Sequence, residues 1–249
     1  MIATLGLLPC AAVVVAVLVF RRSAVAASAI ALTVALALWI LGVFSPFDLA
    51  HLERGLADSS VLTLLVGLVI LGGLLFVEVS ARGGALQAID AVLKVLSLTP
   101  GRAVILVTIG IGVMLESLTG YGVSMLVTLP LLLRLVSRRR AITLALIGMS
   151  LMPWGALSVS ALLGAELARL PVDVLANAIL TTSGPVAFVL PLLCIAMVPN
   201  TTRADALFGV AAGAVLAGGI FATSRLVGVE VAGVGGGAAV IVLCVLIGA

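Results

Sequence analysis

Runs of eighteen or more apolar residues recur along the whole chain, and that pattern leaves few folds open. Each run is long enough to cross a hydrocarbon layer about 30 Å thick. Inside hydrocarbon the backbone polar groups must bond internally, so only helices and closed barrels span it. Barrel strands alternate polar and apolar residues, whereas these runs are continuous, so helices are expected. Composition agrees: 63% of the 249 residues are hydrophobic and 9% charged, with a mean hydropathy of +1.44. Soluble domains hold about half apolar and about a quarter charged residues. The expected fold is an all-α integral membrane protein, a polytopic helix bundle forming a single transmembrane domain over residues 1–249. The first run is read as a retained span and not a signal peptide, because no basic region precedes it and Arg21 and Arg22 follow it.

Candidate spans are 2–20, 24–43, 60–80, 141–163, 174–198, 204–223 and 231–249, with 103–136 as a special case. Residues 84–98 space apolar side chains as on one helix face, with Gln87, Asp90 and Lys94 among them. That suits a helix lying in the membrane interface, or an ordinary connecting helix. Segment 103–136 has 34 residues; as one straight helix it would run about 51 Å, far beyond one span. At its middle, Thr119-Gly120-Tyr121-Gly122 brings two glycines that favour a break. The halves 103–119 and 123–136 are then about 20–26 Å long, short of full spans. A re-entrant helical hairpin with its tip near mid-membrane is expected. A second interruption, a broken helix, is expected at Met152-Pro153-Trp154-Gly155 within 141–163, with Ser150, Ser158 and Ser160 around it.

The net charge of +3 would suggest nucleic acid in a soluble protein; here the cations sit in short loops and set orientation. With the N-terminus outside and 103–136 entering and leaving on one side, ten cations are cytoplasmic: Arg21, Arg22, Arg82, Lys94, Arg102, Arg134, Arg138, Arg139, Arg140 and Arg203. Three, Arg54, Arg169 and Arg225, are outside. A single crossing by 103–136 would put Arg138, Arg139 and Arg140 on the opposite face from Arg21 and Arg22, against the positive-inside bias. The expectation is a multi-pass protein of the cell (plasma) membrane with a cytoplasmic C-terminus.

Glu116 is the sharpest single residue, three positions before the 119–122 break and deep in an apolar segment. A charged side chain at that depth costs about 3 kcal/mol and marks an inward-facing role by default. It suits a proton-coupling group; a structural carboxyl satisfied by tip amides is the plainer alternative. Thr119, Gly120, Tyr121, Gly122 and Ser124 offer hydroxyls and bare amides where one half-helix ends and another starts. Such a start carries partial positive charge and seats carboxylates. Paired discontinuous helices near the midplane are a recurring transporter site. Ser150, Trp154 and Gly155 join them as candidate substrate-binding residues if the second break approaches the first. Elsewhere, Glu78 and Arg82 are expected to pair, and Arg138, Arg139 and Arg140 to set orientation and meet lipid headgroups. His51 is expected in an outside loop, and Gly213, Gly218, Gly219 and the glycines of 233–237 to permit close packing. Cys10, Cys194 and Cys244 show no paired spacing, and one loop histidine gives neither a catalytic base nor a metal set. No enzyme, cofactor, metal or nucleic-acid partner is expected.

Residues 112–135, GVMLESLTGYGVSMLVTLPLLLRL, resemble a motif of the lactate permease family, LEGAAGFGxPVAI followed by a leucine-rich stretch. Leu115, Glu116, Gly120 and Gly122 match it, with Tyr121 for the family's phenylalanine and the bulkier Ser117-Leu118-Thr119 for its Gly-Ala-Ala. Leu146-Ile147 and Trp154-Gly155-Ala156 resemble its LIxNxxPVxFGAxG stretch with a one-residue gap; Met149-Ser150 stands in place of its asparagine. The basic pair after the first span and the loop Thr99-Pro100-Gly101-Arg102 agree as well. The likeness runs over residues 5–249 and corresponds to the N-terminal half of a family member. It implies one of two inverted repeats of the wider ion transporter superfamily, and proton symport of lactate, glycolate and related monocarboxylates. A second half-transporter chain or a homodimer partner is then expected to complete the site. The alternative is a non-transporting or regulatory membrane subunit, or a truncated fragment needing that partner.

Overall fold

The computed structural model describes residues 5–43, 49–151 and 154–248, the side chains of residues 50 and 51 excepted. Residues 2–4 of the first expected span, Met152 and Pro153 of the second break, the His51 side chain and residue 249 lie outside that description. Among the described residues every regular element is a helix. Five helices among the described residues are long and apolar enough to cross a membrane, as in an α-helical membrane protein. The chain forms two compact units, Met1–Leu64 and Leu65–Ala249.

In the first unit α1 (Leu8–Leu18) and α2 (Ala24–Ile40) pack side by side. Ser23 caps α2 by accepting the Ala26 N–H, and Ala16 and Ala27 are buried. The third helix, α3 (Leu49–Arg82), is longer than the expected 60–80 and carries its first half in this unit. His51 and Arg54 therefore sit on a helix, not in a loop. The residues that extend it, Leu-Ala-His-Leu-Glu-Arg, are mostly good helix formers with no breaker among them. At the other end Arg82 pairs with Glu78 at 2.7 Å, as their spacing demands.

The second unit is built around α5 (Pro100–Thr119), the most deeply buried of the candidate spans. Ahead of it, α4 (Ala85–Val95) is the amphipathic helix of segment 84–98, joined to α3 through Gly84 at φ +78°. Thr99 caps α5 and Pro100 occupies its first turn, where a missing N–H costs nothing. Within it, Leu106–Ile111 winds as a π-helix, the Gly112 N–H reaching back to the Val107 carbonyl. At 20 residues α5 is about 30 Å long, so this arm is not the short half that the sequence suggested. A turn over 120–124 leads into α6 (Met125–Leu135), which packs back along α5. Next come α7 (Arg138–Gly148), an interruption, and α8 (Val159–Ala168). The long helices α9 (Val172–Ala196), α10 (Arg203–Leu226) and α11 (Ala232–Gly248) complete the unit.

One end of this unit is pinned by buried acid–base contacts. Asp205 closes a capping box with Thr202 at the start of α10. It also accepts the Thr99 hydroxyl at 2.6 Å, and Arg102 Nε stands 3.4 Å from it while the guanidinium lies over the Phe208 ring. One carboxylate thus joins the starts of α5 and α10. On the surface Asp90 of α4 holds both Lys94 and Arg134 at 2.8 Å, fastening α4 to α6. The hydrogen bonds from Lys94 and then Arg134 keep its carboxyl below the ordinary value of 3.8. Helices α10 and α11 approach through small residues, Gly219 against Gly236, and α11 meets α5 through Gly237 and Gly110. Gly218 has no neighbour within 4 Å, so it is not one of the packing glycines.

Candidate functional site

The last turn of α5 carries Glu116, 3% exposed. The chain beyond it curls round so that two donors meet the carboxylate. Gly122 donates its N–H to Oε1 at 2.9 Å and Ser124 its hydroxyl to Oε2 at 2.6 Å. The curl needs positive φ at three successive residues, Gly120 (+69°), Tyr121 (+52°) and Gly122 (+81°), and two of them are glycines with no Cβ to strain. Thr119 spends its hydroxyl on the Leu115 carbonyl at 2.7 Å, with Gly73 of α3 packed against it.

The second break lies directly against the first. A helix leaves its last carbonyls without partners, and those of α5 are met from the other interruption. Ala156 donates its N–H to the Glu116 carbonyl at 3.1 Å and Leu157 to the Ser117 carbonyl at 2.7 Å. Gly120 packs onto Ala156, and the Met149 side chain covers Gly122. The price of this docking is local strain: Ala156, Leu157 and Ser158 run left-handed at φ 50°, 53° and 57°, at about 1 kcal/mol or more each. The cross-break hydrogen bonds offset it, as does the bond from the Ser158 hydroxyl to the Val229 carbonyl at 2.8 Å.

Of the candidate residues, Glu116, Gly120, Gly122 and Ser124 thus form one hydrogen-bonded junction. Tyr121 projects from it, 38% exposed, beside the exposed Leu118 and Leu157. Trp154 is fully buried and gives its indole N–H to Ser183 of α9 at 3.1 Å, so that donor is already engaged. Gly155 is buried and Ser150 exposed; neither enters the junction's hydrogen bonds.

Three residues of the site were not among the expected site residues. Ser183 stands in Thr181-Thr182-Ser183-Gly184-Pro185, a polar run inside an apolar span that was a readable signal. Ser117 packs on Gly233, where a side chain would collide with its hydroxyl and stand 2.9 Å from Trp154 Cβ. Ala156 gave no signal, because only contact with Gly120 and Glu116 assigns it a left-handed backbone. Chemically, the junction is a buried carboxyl group held by one backbone amide and one hydroxyl, where two helices have given up their regular bonding. No protein-family model, curated protein or solved structure matches the chain.

Proposed function

We propose that the chain is a secondary transporter, or half of one, for small organic monocarboxylates such as lactate or glycolate, coupled to a proton. The supporting observation is the meeting of two interrupted helices around buried Glu116. Breaks at such depth persist only where protein or a polar cavity satisfies the freed backbone, and transporters place substrate and ion sites there. In this reading 100–135 is a re-entrant hairpin of a plasma-membrane protein, entering from the cytoplasm, with the N-terminus outside and the C-terminus inside. Glu116 carries the coupling proton. Protonation makes one oxygen a donor and a poorer acceptor, which loosens or reverses the bond it receives from Gly122 or Ser124. Opening frees the Gly122 N–H and the Ser124 hydroxyl to receive the substrate carboxylate. The sequence likeness to the lactate permease family supports the choice of substrate class.

A second reading, a non-transporting or regulatory membrane subunit that assembles with a partner, has its own support. The donors of Gly122, Ser124, Ala156 and Trp154 are all engaged within the chain, and Leu118, Tyr121 and Leu157 face outward from the junction. Uptake of radiolabelled lactate and glycolate into vesicles, driven by an inward proton gradient, separates the two. Uptake by the chain alone, or on adding a partner chain that supplies a second repeat, supports the first reading, and absence of uptake with every partner supports the second. Cysteine labelling that puts positions 102 and 137 on opposite faces would refute the re-entrant hairpin.

A further inference from the structure

We propose that the groove between the first turn of α7 and the last turn of α9 holds an anionic phospholipid. Its phosphate rests on Arg139, Arg140 and Ser137, and an acyl chain runs along Ile142, Leu146 and Leu193. The headgroup end is a concavity of about 580 Å³ lined by Ser137, Arg139, Arg140, Thr143 and Met197, with no acidic residue in its wall. Thr143 spends its hydroxyl on the Arg139 carbonyl at 3.1 Å, which leaves two guanidinium forks and the Ser137 hydroxyl to face a ligand. Guanidinium forks match phosphate oxygens two at a time. Arg138, Arg139 and Arg140 are exposed and none joins an ion pair among the described residues. By contrast Arg82, Lys94, Arg102 and Arg134 each face a carboxylate.

The apolar part of the groove selects a lipid over a free anion. Ile142 and Leu146 lie three and seven residues beyond Arg139, on the same helical face, and are 39% and 54% exposed. Leu193, four residues before Met197 on α9, is 47% exposed, and α7 and α9 are in contact. A polar, cationic mouth therefore opens onto an apolar track that leads away from the loop, which is the layout of one phospholipid. Basic pockets between membrane helices are known seats for anionic headgroups. Phosphatidylcholine, whose own ammonium cancels its phosphate, gains much less from the same arginines.

The full-length chain in detergent, given phosphatidylglycerol, phosphatidylcholine or inorganic phosphate, is examined for retained ligand by native mass spectrometry. Phosphatidylglycerol should be retained, phosphatidylcholine only weakly, and phosphate should neither bind nor compete. The pair Arg139→Gln and Arg140→Gln should weaken phosphatidylglycerol about 25-fold, at about fivefold per arginine, while Arg169→Gln leaves it unchanged. Equal retention of the two lipids, competition by inorganic phosphate, or an unaffected double variant would each overturn the proposal. Should the double variant fail to fold, salt dependence decides on the native chain: release of phosphatidylglycerol between 0.1 and 0.5 M salt supports the charged seat, and retention refutes it.

Discussion

The contact between Gly120 and Ala156 is what locks the two breaks together, and Gly120→Ala tests it with a magnitude that the geometry supplies. Gly120 sits at φ 69°, ψ −178°, backbone essentially reserved for glycine, so any side chain there costs about 2 kcal/mol. The added methyl also meets the Ala156 methyl head-on, with Ala156 Cα at 3.0 Å and N at 3.1 Å, an overpacking of about 2 kcal/mol. The expected loss is about 4 kcal/mol in total. Ala156→Gly on its own should be nearly neutral, because it relieves about 1 kcal/mol of left-handed strain and forfeits about 0.8 kcal/mol of buried methyl. In the double variant the methyl–methyl collision disappears while the backbone contacts remain, so about half of the overpacking returns. A double-mutant cycle should therefore show about 1 kcal/mol of favourable coupling. Unfolding by SDS in mixed micelles, read by the fluorescence of the neighbouring buried Trp154, measures all four species. Strict additivity, or a Gly120→Ala cost below about 1 kcal/mol, would mean that the tip does not rest on the second break.

Glu116→Gln should abolish proton-driven accumulation of lactate while leaving counterflow largely intact; normal accumulation by a well-expressed variant would remove Glu116 from the coupling. Trp154→Phe keeps the buried ring but drops the bond to Ser183, so it should lose about 1 kcal/mol of stability, whereas Trp154→Ala should lose about 4 kcal/mol; equal losses would show that the indole N–H contributes nothing. The clasp of α4 on α6 should respond to acid: because the folded-state pKa of Asp90 is lowered below 3.8, its stabilisation is fully present above that value and lost as pH falls through the lower, folded value. The protection of α4 against hydrogen exchange, taken relative to the intrinsic rate at each pH, should therefore be unchanged from pH 7 to 5 and fall below about pH 4, a loss that Asp90→Asn shows already at neutral pH.

The broad architecture was legible because the bilayer is a severe solvent: an uninterrupted apolar run has few other uses. The first break was legible as well, since Gly120 and Gly122 are the residues that a left-handed curl requires, and Glu116 stood out because hydrocarbon tolerates so few carboxylates. That the breaks would touch followed from the need of each to satisfy its freed backbone. The rest depended on neighbours. Ala156, Leu157 and Ser158 carry no turn signature, and their backbone is set by the carbonyls of Glu116 and Ser117. Trp154 read as a candidate for a ligand because its partner Ser183 is 29 residues away on another helix. Pro185 and Pro191 look like breakers and yet lie inside α9, where membrane packing tolerates them.

The π-wound stretch Leu106–Ile111 also puts α5 in two phases. Each π turn takes up more residues than an α turn, so the side chains from Gly112 onward are rotated relative to those before Leu106. The upstream phase points Arg102 at Asp205; the downstream phase points Ser117 at Gly233 and Glu116 at the curl. In the stretch between, the Thr108 hydroxyl is buried with no hydrogen-bond partner among the described residues. Winding the same six residues as a plain α-helix would turn the second half about 100° against the first. The basic end and the carboxylate junction could then no longer both be seated by one helix.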